Sequence, residues 1–223
     1  MDNGNSPAYS AANTPVFPNS PLAGKRIIFL GSSVTAGSRS MGEAFPIYLA
    51  KRHGVLPVVE AVSGTTLTNN EDDSYIPRMK TLPISMAADA FVCQLSTNDA
   101  SQKLPLGQIA EGTVKRSFDT GTITGSIEYI IAYARKTWGC PVIFYTGTRY
   151  DSPEYEAMVV RLLELQKKWE IGVIDLWNDA NMNAVSEEDY QLYMFDPIHP
   201  TRAGYRDWWL PKFEAYLEDI LTK

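Results

Sequence analysis

The chain has 223 residues, with 20 Lys and Arg against 26 Asp and Glu, a formal net charge of −6 and 44% hydrophobic residues. A chain of this size buries roughly 70% of its unfolded surface and needs no staple to fold, while an acidic balance argues against nucleic acid as a partner, which calls for a basic stripe. Two cysteines (Cys93, Cys140) and two histidines (His53, His199) exclude a disulfide framework and a Cys/His zinc cluster.

Residues 1–24 carry Pro7, Pro15, Pro18 and Pro21 among Asn, Ser and Ala, and the first basic residue is Lys25. This predicts an extended, partly disordered leader, with Val16 and Phe17 as the residues able to pin it, and no signal peptide. Residues 25–223 are expected to form one domain. No apolar stretch approaches the ~20 residues that span a bilayer. The expectation is a cytoplasmic protein with reduced thiols and no membrane partner.

After Lys25 the pattern becomes regular. Runs rich in β-branched and aromatic residues recur at 26–30, 57–62, 90–95, 141–146 and 172–176. Most are near-continuously apolar, the pattern of strands covered on both faces in a parallel sheet. Ala50-Lys51-Arg52-His53-Gly54 reads as a helix C-terminus, where basic groups complement the dipole, so His53 is assigned a structural role. Residues 126–138 read as helical. So do residues 153–170, where Tyr155, Met158, Val159, Leu162 and Leu163 share a face behind Asp151, Ser152 and Pro153. The stretch from Thr201 is also helical, with Pro211 kinking or restarting it and Trp208, Trp209, Phe213, Tyr216, Leu217 and Ile220 facing the core. Alternating strands and helices give an α/β, doubly wound architecture. Residues 97–125 fit no element and are expected to border the site.

In such sheets ligands bind beyond the carboxyl ends of the strands. Those ends are followed by Gly31-Ser32-Ser33-Val34-Thr35-Ala36-Gly37, by Ser63-Gly64-Thr65-Thr66 and by Ser96-Thr97-Asn98-Asp99; Asp196-Pro197-Ile198-His199 precedes the last helix. Each block alone has a plain explanation as turn or cap chemistry. Together they supply what acyl transfer requires: a hydroxyl nucleophile, oxyanion donors and an Asp-x-x-His pair. Ser33 is the nucleophile and His199 the base, since an unperturbed imidazole titrates near 6.5. Asp196 orients the imidazole. The backbone N–H groups of Ser33 and Gly64 and the side-chain amide of Asn98 form the oxyanion hole. No G-x-S-x-G elbow and no phosphate-binding glycine loop is present, and the chemistry calls for no cofactor.

These four blocks resemble the SGNH, or GDSL-type, family of serine esterases and lipases. The resemblance spans residues 31–199 in the family's order and implies a flavodoxin-like, three-layer α/β/α sandwich with a five-stranded parallel sheet. It carries over Ser33 as nucleophile, Gly64 and Asn98 as oxyanion donors, and Asp196 with His199. Two positions depart from the family's pattern. Ser32 replaces the usual Asp, removing whatever support it gives the turn, and Ser96 replaces the usual Gly, with the expectation that it narrows the pocket. Tyr190, Tyr193, Met194 and Phe195 are further pocket candidates. The resulting expectation is a cofactor-independent serine esterase for small or short-acyl esters, including O-acetylated carbohydrates. Lysophospholipid or thioester hydrolysis, or a catalytically silent carbohydrate-binding relative, are the alternatives.

Overall fold

The computed structural model describes residues 3–114 and 117–222. Five strands form one sheet: β1 (Arg26–Gly31), β2 (Leu56–Ala61), β3 (Ala90–Gln94), β4 (Val142–Tyr145) and β5 (Gly172–Ile174). Their order is β2-β1-β3-β4-β5 and every pairing is parallel. The order reverses between β1 and β3, which makes the carboxyl ends of these strands the switch point where a crevice opens. Every residue of β3 and β4 is buried, as near-continuous apolar runs require of central strands covered on both faces.

Two helical layers provide that cover, and the period-2 alternation of each strand divides its side chains between them. Ile28, Leu30, Phe91, Cys93, Val142 and Phe144 face one layer. It is built from α3 (Tyr75–Met79), α5 (Ile123–Trp138) and α6 (Pro153–Trp169). Ile27, Phe29, Ala90, Val92, Ile143 and Tyr145 face the other, made by α2 (Phe45–His53) and the C-terminal helix. There the Phe45 ring stacks on Phe213 at 3.9 Å between centroids. Three short helices, α1 (Ser33–Ala36), α4 (Thr97–Ser101) and α7 (Glu187–Tyr193), sit at the sheet's carboxyl edge or in its connections.

The helix ends follow their local chemistry. α6 starts where Ser152 Oγ accepts the Tyr155 N–H and Pro153 occupies the first turn. α5 begins three residues earlier than the apolar period indicates, because Thr122 Oγ1 accepts the Gly125 N–H. At the C-terminus, Gly204–Trp209 forms a π-helical turn before α8 (Leu210–Leu221). The wide turn accommodates Pro211, whose ring would crowd the carbonyl four residues back in a regular helix. Trp209, Phe213 and Leu217 are fully buried, as expected.

Residues 3–24 depart from the expected extended, partly disordered leader. They form 3-10 turns at Asn3–Asn5, Pro7–Tyr9 and Ala11–Asn13, packed against the α/β core. The Asn5 side chain donates to the Arg39 carbonyl and accepts the Arg202 N–H, and the Tyr48 hydroxyl donates to the Tyr9 carbonyl. A Cβ on Gly4 would lie 1.9 Å from the Leu192 carbonyl oxygen, so the segment is seated closely. Val16 stays largely exposed, but Phe17 pins the segment as expected, donating its N–H to the Arg52 carbonyl at 2.7 Å and setting its ring edge-on to His53; Leu22, with no exposed surface, adds a buried apolar anchor. Composition misjudges this segment because directed backbone and amide hydrogen bonds, rather than an apolar stripe, attach it.

Candidate active site

β1 delivers the chain to the crevice at Gly31, and the turn after it places Ser33 at the first position of α1. An N–H at that position has no helical carbonyl within reach and is free to meet a ligand. Ser33 Oγ lies 2.8 Å from His199 Nε2. His199 Nδ1 lies 2.8 Å from both oxygens of Asp196. The Asp196 carboxylate also accepts the N–H groups of Ile198 and His199, each at 2.9 Å, so it holds the loop and the ring together. Burial alone would raise this carboxyl. The hydrogen bonds from Ile198, His199 N–H and the His199 ring outweigh it and hold the group below its ordinary value. An ionised carboxylate only accepts, which makes Nδ1 the donor and leaves Nε2 of a neutral ring to accept from Ser33.

Gly64 and Asn98 come from the ends of β2 and β3. Gly64 has a φ of +86°, a conformation open to glycine at no steric cost, and nothing lies within 4 Å of where a Cβ would stand. Asn98 Nδ2 donates to the Thr65 carbonyl at 2.8 Å. That bond uses one of the two amide hydrogens, leaving the second for an anion. The structure therefore joins Ser33, His199 and Asp196 in one hydrogen-bonded series and links Asn98 to the loop of Gly64.

The neighbouring Asp99 is fully buried and braces that loop. Its carboxylate accepts Leu67 N–H at 2.8 Å, Thr68 N–H at 2.9 Å and the Thr68 hydroxyl at 2.6 Å. Asp99→Ala strands three donors, and a cost of about 3 kcal/mol or more is expected. Calorimetry should show the melting temperature falling by roughly 6–12 °C for a domain of this size.

Both departures from the family pattern have physical accounts. Ser96 does not narrow the pocket as expected. It is fully buried and its hydroxyl caps α4, accepting Asn98 N–H and Asp99 N–H. At Ser32 the turn draws its support from Gln94 instead. Gln94 Oε1 accepts Ser32 N–H at 2.9 Å, Thr35 N–H at 3.2 Å and the Thr35 hydroxyl at 2.9 Å, and Thr35 Oγ1 also meets the Tyr145 hydroxyl at 2.7 Å. Sequence reasoning missed Gln94 because nothing local to β3 distinguishes it from a strand-end polar residue.

His53 engages Ser20 Oγ and Glu214 instead of the Ser33 series, closing a link between α2, α8 and the N-terminal segment. Cys93 and Cys140 are buried free thiols, and burial pushes Cys140 up to about 11, so neither is poised as a nucleophile. Of the described residues within 97–125, only those of α4 bear on the site. Leu104, Leu106, Ile109 and Ala110 pack on the core, and Arg161 and Lys168 of α6 donate to the carbonyls of Gly107 and Ala110. Met194 is buried in the core and Tyr193 stacks on Trp208. Tyr190, Met194 and Phe195 line an open, polar depression of about 680 Å³ beside Asp196. Among the described residues no group of His, Cys, Asp and Glu side chains could hold a metal ion, and no helix is long and apolar enough to cross a membrane.

The sequence profile of the GDSL-like Lipase/Acylhydrolase family matches residues 29–206, from within β1 to beyond His199. The chain belongs to this family. Several solved structures share the fold of this GDSL-family chain. A protein from Lactobacillus plantarum is 22% identical, with 88% of this chain and 98% of that one aligned at a TM-score of 0.71. A candidate lipolytic protein of the G-D-S-L family from Desulfitobacterium hafniense is 16% identical, with 86% and 99% aligned at a TM-score of 0.66. A family two carbohydrate esterase from Clostridium thermocellum, solved with cellohexaose, is 14% identical, with 92% and 66% aligned at a TM-score of 0.62. Among curated proteins none matches this GDSL-family sequence.

Proposed function

We propose that this GDSL-family protein is a serine hydrolase that cleaves carboxylic esters of small or short-acyl substrates through an acyl-serine intermediate. The observation that carries the reading is the series Ser33 Oγ, His199 Nε2, His199 Nδ1 and Asp196, with each link at 2.8 Å. In this reading Ser33 Oγ attacks the ester carbonyl carbon as its proton passes to His199 Nε2. The carbonyl oxygen becomes an oxyanion held by the N–H groups of Ser33 and Gly64 and the free amide hydrogen of Asn98. Collapse breaks the bond to the alcohol, which leaves with the proton from His199. Water then attacks the acyl-Ser33, giving its proton to His199, and collapse returns that proton to Oγ with release of the acid. Asp196 keeps the ring oriented and stabilises the imidazolium. Side chains, backbone N–H groups and water balance every step.

The open depression beside Asp196, with Tyr9, Tyr190 and Phe195 among carboxylate and amide groups, supports O-acetylated carbohydrate as the substrate class. Aromatic faces with polar neighbours suit a sugar. The fold shared with a carbohydrate esterase accords with this.

A fluorophosphonate probe should label the folded protein once, at Ser33. A p-nitrophenyl ester series should show faster turnover with an acetyl than with an octanoyl chain. Absent labelling together with absent hydrolysis would favour a silent binding relative instead. Preference for octanoyl esters would move the substrate class toward lysophospholipids or long-chain thioesters.

A further inference from the structure

We propose that Arg78 is a positioning residue for the oxyanion hole, resting on the reading of Ser33 as nucleophile. Arg78 lies on α3, and its side chain is almost wholly buried. A buried guanidinium is retained only where its donors are satisfied, and here all five N–H directions are used. Nε donates to the Asp73 carbonyl at 2.7 Å. Nη1 donates to the carbonyl and carboxylate of Glu60, both at 3.1 Å. Nη2 donates to the Gly31 carbonyl at 2.8 Å and to Thr65 Oγ1 at 2.9 Å.

The last two contacts set the role. Gly31 stands two residues before Ser33, so its carbonyl fixes the start of the turn that aims the Ser33 N–H. Thr65 follows Gly64. Its hydroxyl accepts from Arg78 and donates to the Val62 carbonyl at 2.7 Å, which closes the turn carrying the Gly64 N–H. The Thr65 carbonyl accepts from Asn98 Nδ2. One guanidinium therefore ties together the turns that carry the Ser33 and Gly64 N–H groups, and through Thr65 it reaches the acceptor of the Asn98 side-chain amide, although the three donors come from three strand ends. Glu60 and Asp73 hold its far side and keep the plane from turning. Lysine has no planar fork and its ammonium reaches only as far as the guanidinium carbon, so it cannot hold the Gly31 and Thr65 contacts together with those to Glu60 and Asp73.

Arg78 does not touch the reacting atoms. Its removal should act on the transition state, where donors misplaced by about 1 Å lower the rate by roughly 100-fold, and leave ground-state binding largely intact. The test compares wild type, Arg78→Lys and Thr65→Val on p-nitrophenyl acetate, with circular dichroism and melting temperature measured in parallel. A short alkylboronic acid is the second probe, since its adduct with Ser33 is tetrahedral and occupies the same hole. Arg78→Lys should lower kcat about 30- to 300-fold with KM within about threefold. The boronic acid should lose affinity by a similar factor, while the ester's KM does not follow.

Thr65→Val keeps Arg78 and nearly keeps side-chain volume. It should reproduce a smaller fall, about 5- to 30-fold in kcat, and it carries the test if Arg78→Lys fails to fold. If either folded variant melts lower yet keeps kcat and boronic acid affinity within threefold of wild type, Arg78 is structural only and the proposal fails. A wild type that neither hydrolyses esters nor binds the boronic acid would remove the hydrolase reading, and the proposal with it. An active wild type with active variants removes this proposal alone.

Discussion

Ser33→Ala is expected to lower kcat/KM for p-nitrophenyl acetate by about 10⁴-fold or more, with the protein still folded. The substitution deletes the atom that forms the acyl bond in the proposed mechanism and leaves the surroundings in place. His199 remains held by Asp196 through its ring and its backbone N–H. Gly64 and Asn98 keep the positions set by their own loops. The variant should therefore retain the ability to polarise a bound ester and to direct water at it, and some rate above the uncatalysed reaction is expected to survive. The stability change is small by comparison. One partly buried hydrogen bond is lost, worth about 1 kcal/mol, so the melting temperature should shift by roughly 2–4 °C. Steady-state kinetics with intact-protein mass spectrometry decide the matter. Near-wild-type turnover by the variant, or a fluorophosphonate adduct that persists in it, would place the nucleophile elsewhere.

The residues proposed to carry this chemistry are legible in sequence because each sits in a short block whose geometry is local. A strand that stops at Gly31 and turns into a helix must present Ser33 at a helix start, and Asp196 three residues before His199 is close enough to close the turn that holds the imidazole. The sheet is legible for a related reason, since a buried parallel strand leaves a continuous apolar run. What was not legible acts across the chain. Gln94 reaches Ser32 over 62 residues, and Arg78 reaches Gly31 over 47. Neither spacing has a pattern that sequence can display. Asp99 stood inside a legible block, yet its role as the acceptor for Leu67 and Thr68 depends on where that loop folds back. The N-terminal segment illustrates the same limit from the other side. Its attachment through Asn5 to Arg39 and Arg202 is directional and polar, and composition registers only its lack of apolar residues.

Asp196→Asn is expected to lower kcat by about 10⁴-fold, with little change in backbone. An asparagine oxygen can still accept the N–H groups of Ile198 and His199, so the loop that presents the ring keeps its form. The ring loses its reason to carry a proton on Nδ1. It can rotate to the other tautomer, in which Nε2 is a donor and cannot take the Ser33 proton, and the imidazolium formed during attack loses its counter-charge. The two effects fall on the transition state and predict a fall in kcat with KM nearly constant. Stability provides a separate check with a definite sign. Burial opposes ionisation of Asp196, but its backbone and ring hydrogen bonds prevail, and its native pKa lies below the unfolded value of about 3.9. The unfolded chain therefore binds the proton first as pH falls. The stabilisation is complete above the unfolded value and is lost as pH drops through the native one. Wild type should melt above Asp196→Asn at pH 6, and the gap should close on acidification below about pH 4. A gap that stays constant or widens over that range would mean that the carboxylate is not held by these hydrogen bonds.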